Sequence, residues 1–385
     1  MSVTTLVSMR IRKYFYTGVL LAGLVFSSQS IANDAYQVLR QQVDGFAQVT
    51  PNRPFIFPND HGVHPDYRIE WWYITANLKD EKGQDWGVQW TLFRQSMDAK
   101  PVLRGWGSNQ LWMAHAAITT PDGHQYAERF ARGGIGQAGV LSASRKNPDQ
   151  PFEVWLDDWS WQGKTANPFP SVLSYSIGNT QVSLKMRSVT PWVLQGEQGF
   201  SQKSGKGQAS YYYSQPHIQV NGTIKHKGKS NVVTGHAWLD REWSSQPLAK
   251  EQQGWDWFSL HLEDGYGLMV YRLRQTDGKH WLSGSWIDPK GKSRTLKPSE
   301  IMIREKGYRW VNIANAEGEP TSKVKLPLSW EIDIPVLGKR WQVDSLYDQQ
   351  WMNTQFPYWE GVVKVDGGNS GMGYMELTGY PVETN

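Results

Sequence analysis

Cysteine is absent from all 385 residues. That excludes disulfides, thiolate catalysis, Cys-ligated zinc and a lipoprotein-type cysteine anchor. Long helical periodicity is scarce. An excess of one charge is lacking too, because 40 basic and 36 acidic residues leave only +4. Three of the basic residues fall within positions 1–32, which hold no acid, so the remainder carries +1. Such a near-neutral surface offers nucleic acid no electrostatic footprint. No GxSxG elbow and no helical HExxH pair occurs. The run Gly133-Gly134-Ile135-Gly136 has no strand-to-helix context for holding a phosphate. Nucleotide chemistry and the α/β-hydrolase version of ester cleavage therefore have no support.

The first 32 residues read as a leader. Arg10, Arg12 and Lys13 precede a short apolar stretch, Tyr16 to Phe26, and Ser30-Ile31-Ala32 follows as a small-residue cleavage site. That order is the pattern of a secretory signal peptide. The apolar stretch is too short to cross a bilayer, which needs ~20 residues. The expectation is an exported chain with no membrane span after cleavage near Ala32.

What is abundant is aromatic: 21 Trp, 17 Tyr and 12 Phe. Each such ring removes roughly 150–250 Å² from water when buried. Much of this must be core, and the sharper reading is that some rings line a cavity. Asp34 to Phe46 is expected to hold a short helix, followed by a Pro51–Pro54 linker. Beyond it, short alternating runs are broken by turn residues, as in an antiparallel sandwich or barrel. Ile69–Leu78 and Trp86–Gln95 form a predicted hairpin, and Ser174–Ile177 with Thr180–Met186 another. Residues 324–334 alternate strictly, the mark of a half-buried strand. Ser201–Gln208, polar and Gly-rich, reads as a mobile loop.

The chain also repeats itself. Residues 71–80 (WWYITANLKD) align without gaps to 255–264 (WDWFSLHLED), and 86–95 (WGVQWTLFRQ) to 266–275 (YGLMVYRLRQ). A second pair closes each half: 222–228 with 361–367, and 235–239 with 373–377. Repeats of this length imply duplicated domains rather than solenoid units. The reading divides the chain into a signal peptide (1–32), a helix and linker (33–54), a first domain (55–245) and a second (250–383). A closed antiparallel barrel of about eight strands leaves no exposed edge and can enclose one small ligand. The expected fold class is all-β, two tandem antiparallel β-barrels.

The segment Asp60-His61-Gly62-Val63-His64-Pro65, followed by Glu70-Trp71-Trp72-Tyr73, resembles the signature of the carotenoid hydratase (hydroxyneurosporene synthase) family and its exported AttH-type members. Met113 to Ile118 and Gly235 to Trp243 resemble two further blocks of that family, and the likeness spans nearly all of residues 55–383. It implies two lipocalin-like barrels with a ligand site in the first. It also implies varied activities, among them hydration of isoprenoid double bonds and pericyclic cyclisation. Exported members carry the label of secreted hydrolases, and some are associated with ABC transporter components and a periplasmic setting. The family's carboxylate falls on Asp240, with an aromatic residue two positions earlier, Trp238. Arg241-Glu242 after it departs from the hydratase pattern.

Asp240 is the leading candidate for general acid work, since a carboxyl kept neutral by burial can protonate an alkene carbon. The repeat pairs it with Thr378, so only the first domain offers this carboxyl. The competing reading is a strand-end Asp that serves a turn or pairs with Arg241. Glu70, within a strand, reads first as a buried partner of Arg94 across the hairpin and second as an acid/base. His115, in an alternating strand, reads as a core histidine or as an acid/base on the cavity face. His61 and His64 form a weak HxxH in a loop that reads as closing the barrel mouth. No metal and no cofactor is expected. Trp72, Trp90, Trp238, Tyr213, Arg94 and His236 are the predicted ligand contacts. Two functions compete: binding an apolar lipid or isoprenoid-like molecule in the first barrel for an ABC transporter, or acid/base catalysis on one through Asp240. A purely structural role for the aromatics is the third.

Overall fold

The computed structural model describes residues 39–40, 43–246, 248–314 and 319–384. The leader expected over 1–32 lies outside the described residues. So does most of the expected short helix, of which Leu39 and Arg40 are helical while 44–46 form a turn and bend.

Among the described residues, thirteen strands make one antiparallel sheet and eleven make a second. Ten strands position everything that follows. In the first sheet these are β1 (Ile69–Asp80), β2 (Asp85–Ser96), β3 (Gln110–Thr120), β4 (Gly123–Arg132), β5 (Ala209–His226) and β6 (Lys229–Ser244). In the second they are β7 (Gln252–Leu262), β8 (Gly267–Gln275), β9 (Tyr358–Gly367) and β10 (Gly371–Thr378). The two halves share one neighbour order, β2-β1-β6-β5 and β8-β7-β10-β9. The hairpins that align in sequence are thus the same structural unit used twice.

The first sheet curls until its far strands meet its beginning. The Tyr175 hydroxyl donates to the Ala117 carbonyl at 2.8 Å, and the Thr180 hydroxyl to Gln125 Oε1 at 2.8 Å. The result is a lipocalin-like barrel, and the second sheet makes another. The Ser174–Met186 hairpin is present over Ser171–Ile177 and Thr180–Arg187. The alternating run 324–334 lies within the strand Pro320–Ile334.

Side chains of a strand alternate between the two faces of the sheet. In β1 to β3 the even-numbered residues point inward: Trp72, Ile74, Trp90, Leu92, Trp112 and Ala114 belong to one continuous core. Indoles pack together in the interior of the first barrel, where the sequence reading expects the ligand. Yet β1 is buried on both faces from Trp72 to Ala76. The reason is that the outer walls of the two barrels pack on each other. Tyr73, Tyr212 and Trp238 of the first join Trp257, Met269 and Tyr374 of the second in a separate cluster. A bulge in β5 between Gln215 and Ile218 holds Pro216, which cannot donate to the ladder, and its carbonyl accepts from His261 Nε2 at 2.6 Å across the seam. Ser201–Gln208, read as a mobile loop, is instead held there. Lys203 and Ser204 are buried, and the Lys203 ammonium pairs with Glu242 at 2.8 Å.

Candidate functional site

Between the two outer walls lies a cavity of about 330 Å³, within the size range that holds small molecules. Its lining follows from strand parity. Odd residues of β1 to β3 (Trp71, Tyr73, Phe93, Met113, His115) face even residues of β9 and β10 (Tyr358, Glu360, Glu376), with Trp255 and Trp257 of β7 beside them. Trp71 and Trp255 are equivalent positions of the repeat, as are Tyr73 and Trp257. Duplication therefore sets like aromatics face to face.

Ladder register places a polar row across the first wall. Glu128 pairs with His115, His115 with Thr91, Thr91 with Tyr73, Tyr73 with Asp240, and Asp240 with Ser214. Three strand spacings separate His115 from Asp240, roughly 14 Å along the sheet. The row thus has an acidic pole and an imidazole pole, both on the cavity.

At the acidic pole Asp240 is buried and lined by donors. The Tyr212 hydroxyl donates to Oδ2 at 2.6 Å, and the Trp238 indole N–H to Oδ1 at 2.8 Å, with the Ser214 hydroxyl also on Oδ1. The Trp257 indole N–H reaches the Tyr212 oxygen at 3.3 Å, so the chain of donors begins in the second barrel. Burial pushes the Asp240 carboxyl up to about 7, against the lowering effect of its three hydrogen bonds; the charge of Glu242 adds to the rise. Opposite stands Glu376, which accepts from the Trp255 indole at 3.0 Å. Burial, with the charges of Asp240 and Glu242, takes it up to about 8 despite that bond. Glu360 pairs with Glu376 across the ladder and accepts from the Tyr73 hydroxyl at 2.5 Å. Burial first, then the neighbouring Glu376, raises it well above the carboxylate range. Its Oε2 has no partner among the described residues. Glu242 differs from these in having a buried ammonium of its own, that of Lys203. Carboxyls this close in a low-dielectric space hold protons near neutrality, which suits general acid–base work.

At the other pole the His115 ring lies between the Tyr358 hydroxyl, 2.9 Å from Nδ1, and Glu128 Oε1, 3.0 Å from Nε2. A carboxylate only accepts, so Nε2 carries the proton and Nδ1 takes the phenol's. Burial lowers the His115 pKa and the bond to Glu128 offsets part of that. The imidazole is neutral and oriented, as a proton relay requires.

The remaining predicted residues are placed as follows. Trp72 and Trp90, 1% and 0% exposed, belong to the interior of the first barrel and are not part of the cavity lining. Their even parity turns them from the second barrel and into the core. Tyr213 lies outside the cavity lining, its hydroxyl 2.6 Å from His61 Nδ1 in a cluster with Tyr211 and Trp243. His236 is exposed, its ring 6.0 Å from that of His261 outside the cavity. Trp238 is buried in the seam and serves Asp240 through its N–H. Arg94 borders the cavity, but its guanidinium is committed to Glu70, to Gln110 Oε1 and to the carbonyls of His64 and Tyr67. Glu70 takes both Arg94 and Arg241. Burial pushes its carboxyl up, and the two guanidiniums with His64 outweigh that, holding it well below the usual range. That is the buried ion pair expected of it across the hairpin, with Arg241 as a second partner. His64 stacks on Trp243 at 3.8 Å and spans Asp60 and Glu70, while His61 sits against Phe57 and Trp192. Among the described residues no three His, Asp or Glu side chains form a metal-holding group.

Glu360, Glu376, Glu242, Lys203, Tyr212 and Tyr358 were not singled out from sequence. One signal was available: Glu376 aligns with Trp238 in the repeat and is an acid in an otherwise apolar run, GYMEL.

Fold and site together define a double lipocalin-like barrel with an acid-lined aromatic cavity at the barrel–barrel seam. The AttH-like family model matches residues 48–380, and the chain belongs to that family. An AttH-type crystal structure from Nitrosomonas europaea is 33% identical, with a TM-score of 0.74 over 87% of this chain and all of that one. Kievitone hydratase from Nectria haematococca shares the fold at 14% identity, TM-score 0.60, over 88% of this chain and 97% of its own. The protein CghA, solved with Sch210972, does so at 14% identity and TM-score 0.53, over 88% and 98%. No curated protein matches the sequence.

Proposed function

We propose that the protein takes an apolar, unsaturated small molecule into the cavity between its barrels, and that Asp240 gives a proton to it and recovers one. One observation carries this reading: a buried carboxyl poised at about 7 and fixed by three donors on the wall of an aromatic cavity. The carboxyl proton goes to one carbon of a double bond. The positive charge left on the other carbon is stabilised by the faces of Trp71 and Trp257. Water adds there and its proton returns to the carboxylate, so atoms and charge balance. Glu360, neutral through burial, supplies a donor for an oxygen on the same molecule. The leader pattern of residues 1–32 supports an exported, periplasmic setting, and the family resemblance supports ABC transporter components as the recipients.

The test begins with solvent extraction of the purified protein and mass spectrometry of what it carries. The extracted compound, returned in D2O, should acquire carbon-bound deuterium. Asp240→Asn should lose that exchange while the compound still quenches tryptophan fluorescence. Exchange at the wild-type rate in this variant removes Asp240 from the chemistry, and a protein that no apolar compound quenches removes the whole reading.

A further inference from the structure

The turn joining β2 to β3, residues 97–109, runs directly into Gln110 and Leu111 of β3, at the edge of the cavity. Leu111 and Phe130 line the cavity and are also 41% and 55% exposed. Beyond them the turn presents Leu103 at 57% and Trp106 at 75%. These side chains are displayed by a pinned backbone rather than a frayed one. The Gly105 N–H donates to the Gly134 carbonyl at 2.9 Å, in a left-handed conformation (φ 64) that suits glycine. The Asn109 side chain donates to Asp98 Oδ1 at 2.8 Å and to the Lys100 carbonyl at 3.0 Å. The same turn carries Lys100, 83% exposed at its side chain and only loosely paired with the one acid, Asp98, at 3.8 Å, and exposed Arg104. A tryptophan and a leucine set between two cations match the interfacial zone of a bilayer with anionic headgroups.

We propose that this turn docks the protein on an anionic phospholipid surface, with Trp106 and Leu103 at the headgroup–acyl boundary and Lys100 and Arg104 on phosphates. The cavity mouth then faces the lipid, and an apolar molecule passes into it without crossing water. The proposal rests on the apolar-ligand reading for its purpose but not for its test.

Flotation of the purified protein with phosphatidylcholine vesicles, with and without phosphatidylglycerol, measures the docking. Binding is expected on the anionic vesicles and should fall as salt is raised. Trp106→Ser with Leu103→Ser should weaken it by tenfold or more, on the order expected for two lost interfacial side chains. Lys100→Glu with Arg104→Glu should remove the preference for anionic vesicles. All four positions are exposed, so unchanged melting temperatures would show that the fold is intact. Wild-type protein that stays off the vesicles, variants that float as wild type does, or capture of the turn by a protein with no vesicle binding would each overturn the proposal. Uptake of an apolar fluorescent probe from water should be the same in wild type and variants. Failure of that uptake in all of them sinks the proposed function and leaves the docking turn standing or falling on flotation alone.

Discussion

The inner and outer faces of the first barrel's wall are built from alternate residues of the same strands, and they do opposite things. Inward, Trp72 and Trp90 pack in the core of the barrel, while Trp112 of that core also borders the cavity. Outward, Trp71, Tyr73, Phe93 and His115 line a cavity that exists only because a second barrel stands opposite. The duplicated barrel supplies the other wall of the site. Its Trp255 and Trp257 answer Trp71 and Tyr73, while Glu376 stands where the first barrel has Trp238 and Thr378 where it has Asp240. The aromatic frame is therefore nearly symmetric and the acids are not, which gives a bound molecule two distinct sides.

The largest expected effect separates the two faces. Trp72→Ala should destabilise the protein by about 3–5 kcal/mol, because a filled core cannot close over the void. Trp71→Ala should cost far less and should show instead as weakened ligand quenching. Denaturant melts of both variants check this, and a stable Trp72→Ala protein that has lost its ligand would return the site to the barrel interior. The next effect sharpens the contrast between Asp240 and Thr378. The folded Asp240 holds its proton up to about 7, whereas an unfolded Asp releases it near 3.9. Between about pH 4 and pH 7 the native state therefore binds more protons than the unfolded state, and stability falls as pH rises. The cost is absent below the unfolded pKa and complete above about 7, on the order of 2–4 kcal/mol. Asp240→Asn should lose this part of the slope and keep the part due to Glu376 and Glu360, which are raised too, so the gap between variant and wild type should narrow or reverse from pH 4 to pH 8. Thr378→Val, at the equivalent position, should leave the slope as it is.

Several parts of this arrangement were legible from the residues. Alternation and turn signals gave the hairpins, the two-part repeat gave the duplicated barrel, and the spacing of Glu70 and Arg94 gave their ion pair. The face that carries the site was not legible. Period-two alternation tells two faces apart only when one is polar, and in Trp71-Trp72-Tyr73 both are aromatic, so a one-residue difference in parity decides between core and ligand wall. Lys203 was hidden for another reason. Its neighbours SQKSGKGQ are polar, and only the Glu242 carboxylate, distant in sequence, makes its burial tolerable. Glu360 and Glu376 likewise acquire meaning only when the second barrel is set against the first.

The smallest predicted effect tests whether the imidazole pole belongs to the same site as the acidic one. Tyr358 comes from the second barrel and gives its proton to His115 of the first. Tyr358→Phe removes that donor and leaves Nδ1 with none at this position, a cost of about 1–3 kcal/mol for a buried acceptor without a partner. The aromatic stacking on His115, 5.6 Å between ring centres, survives the change. The melt should therefore shift by several degrees at most, with the fold kept. If the two poles act on one molecule, deuterium exchange into the bound compound should slow and its pH profile should shift, because the imidazole would no longer be held in the tautomer that Glu128 and Tyr358 impose. If exchange and profile match the wild type, His115 and Tyr358 are a clasp between barrels, and proton transfer lies with the carboxyls alone.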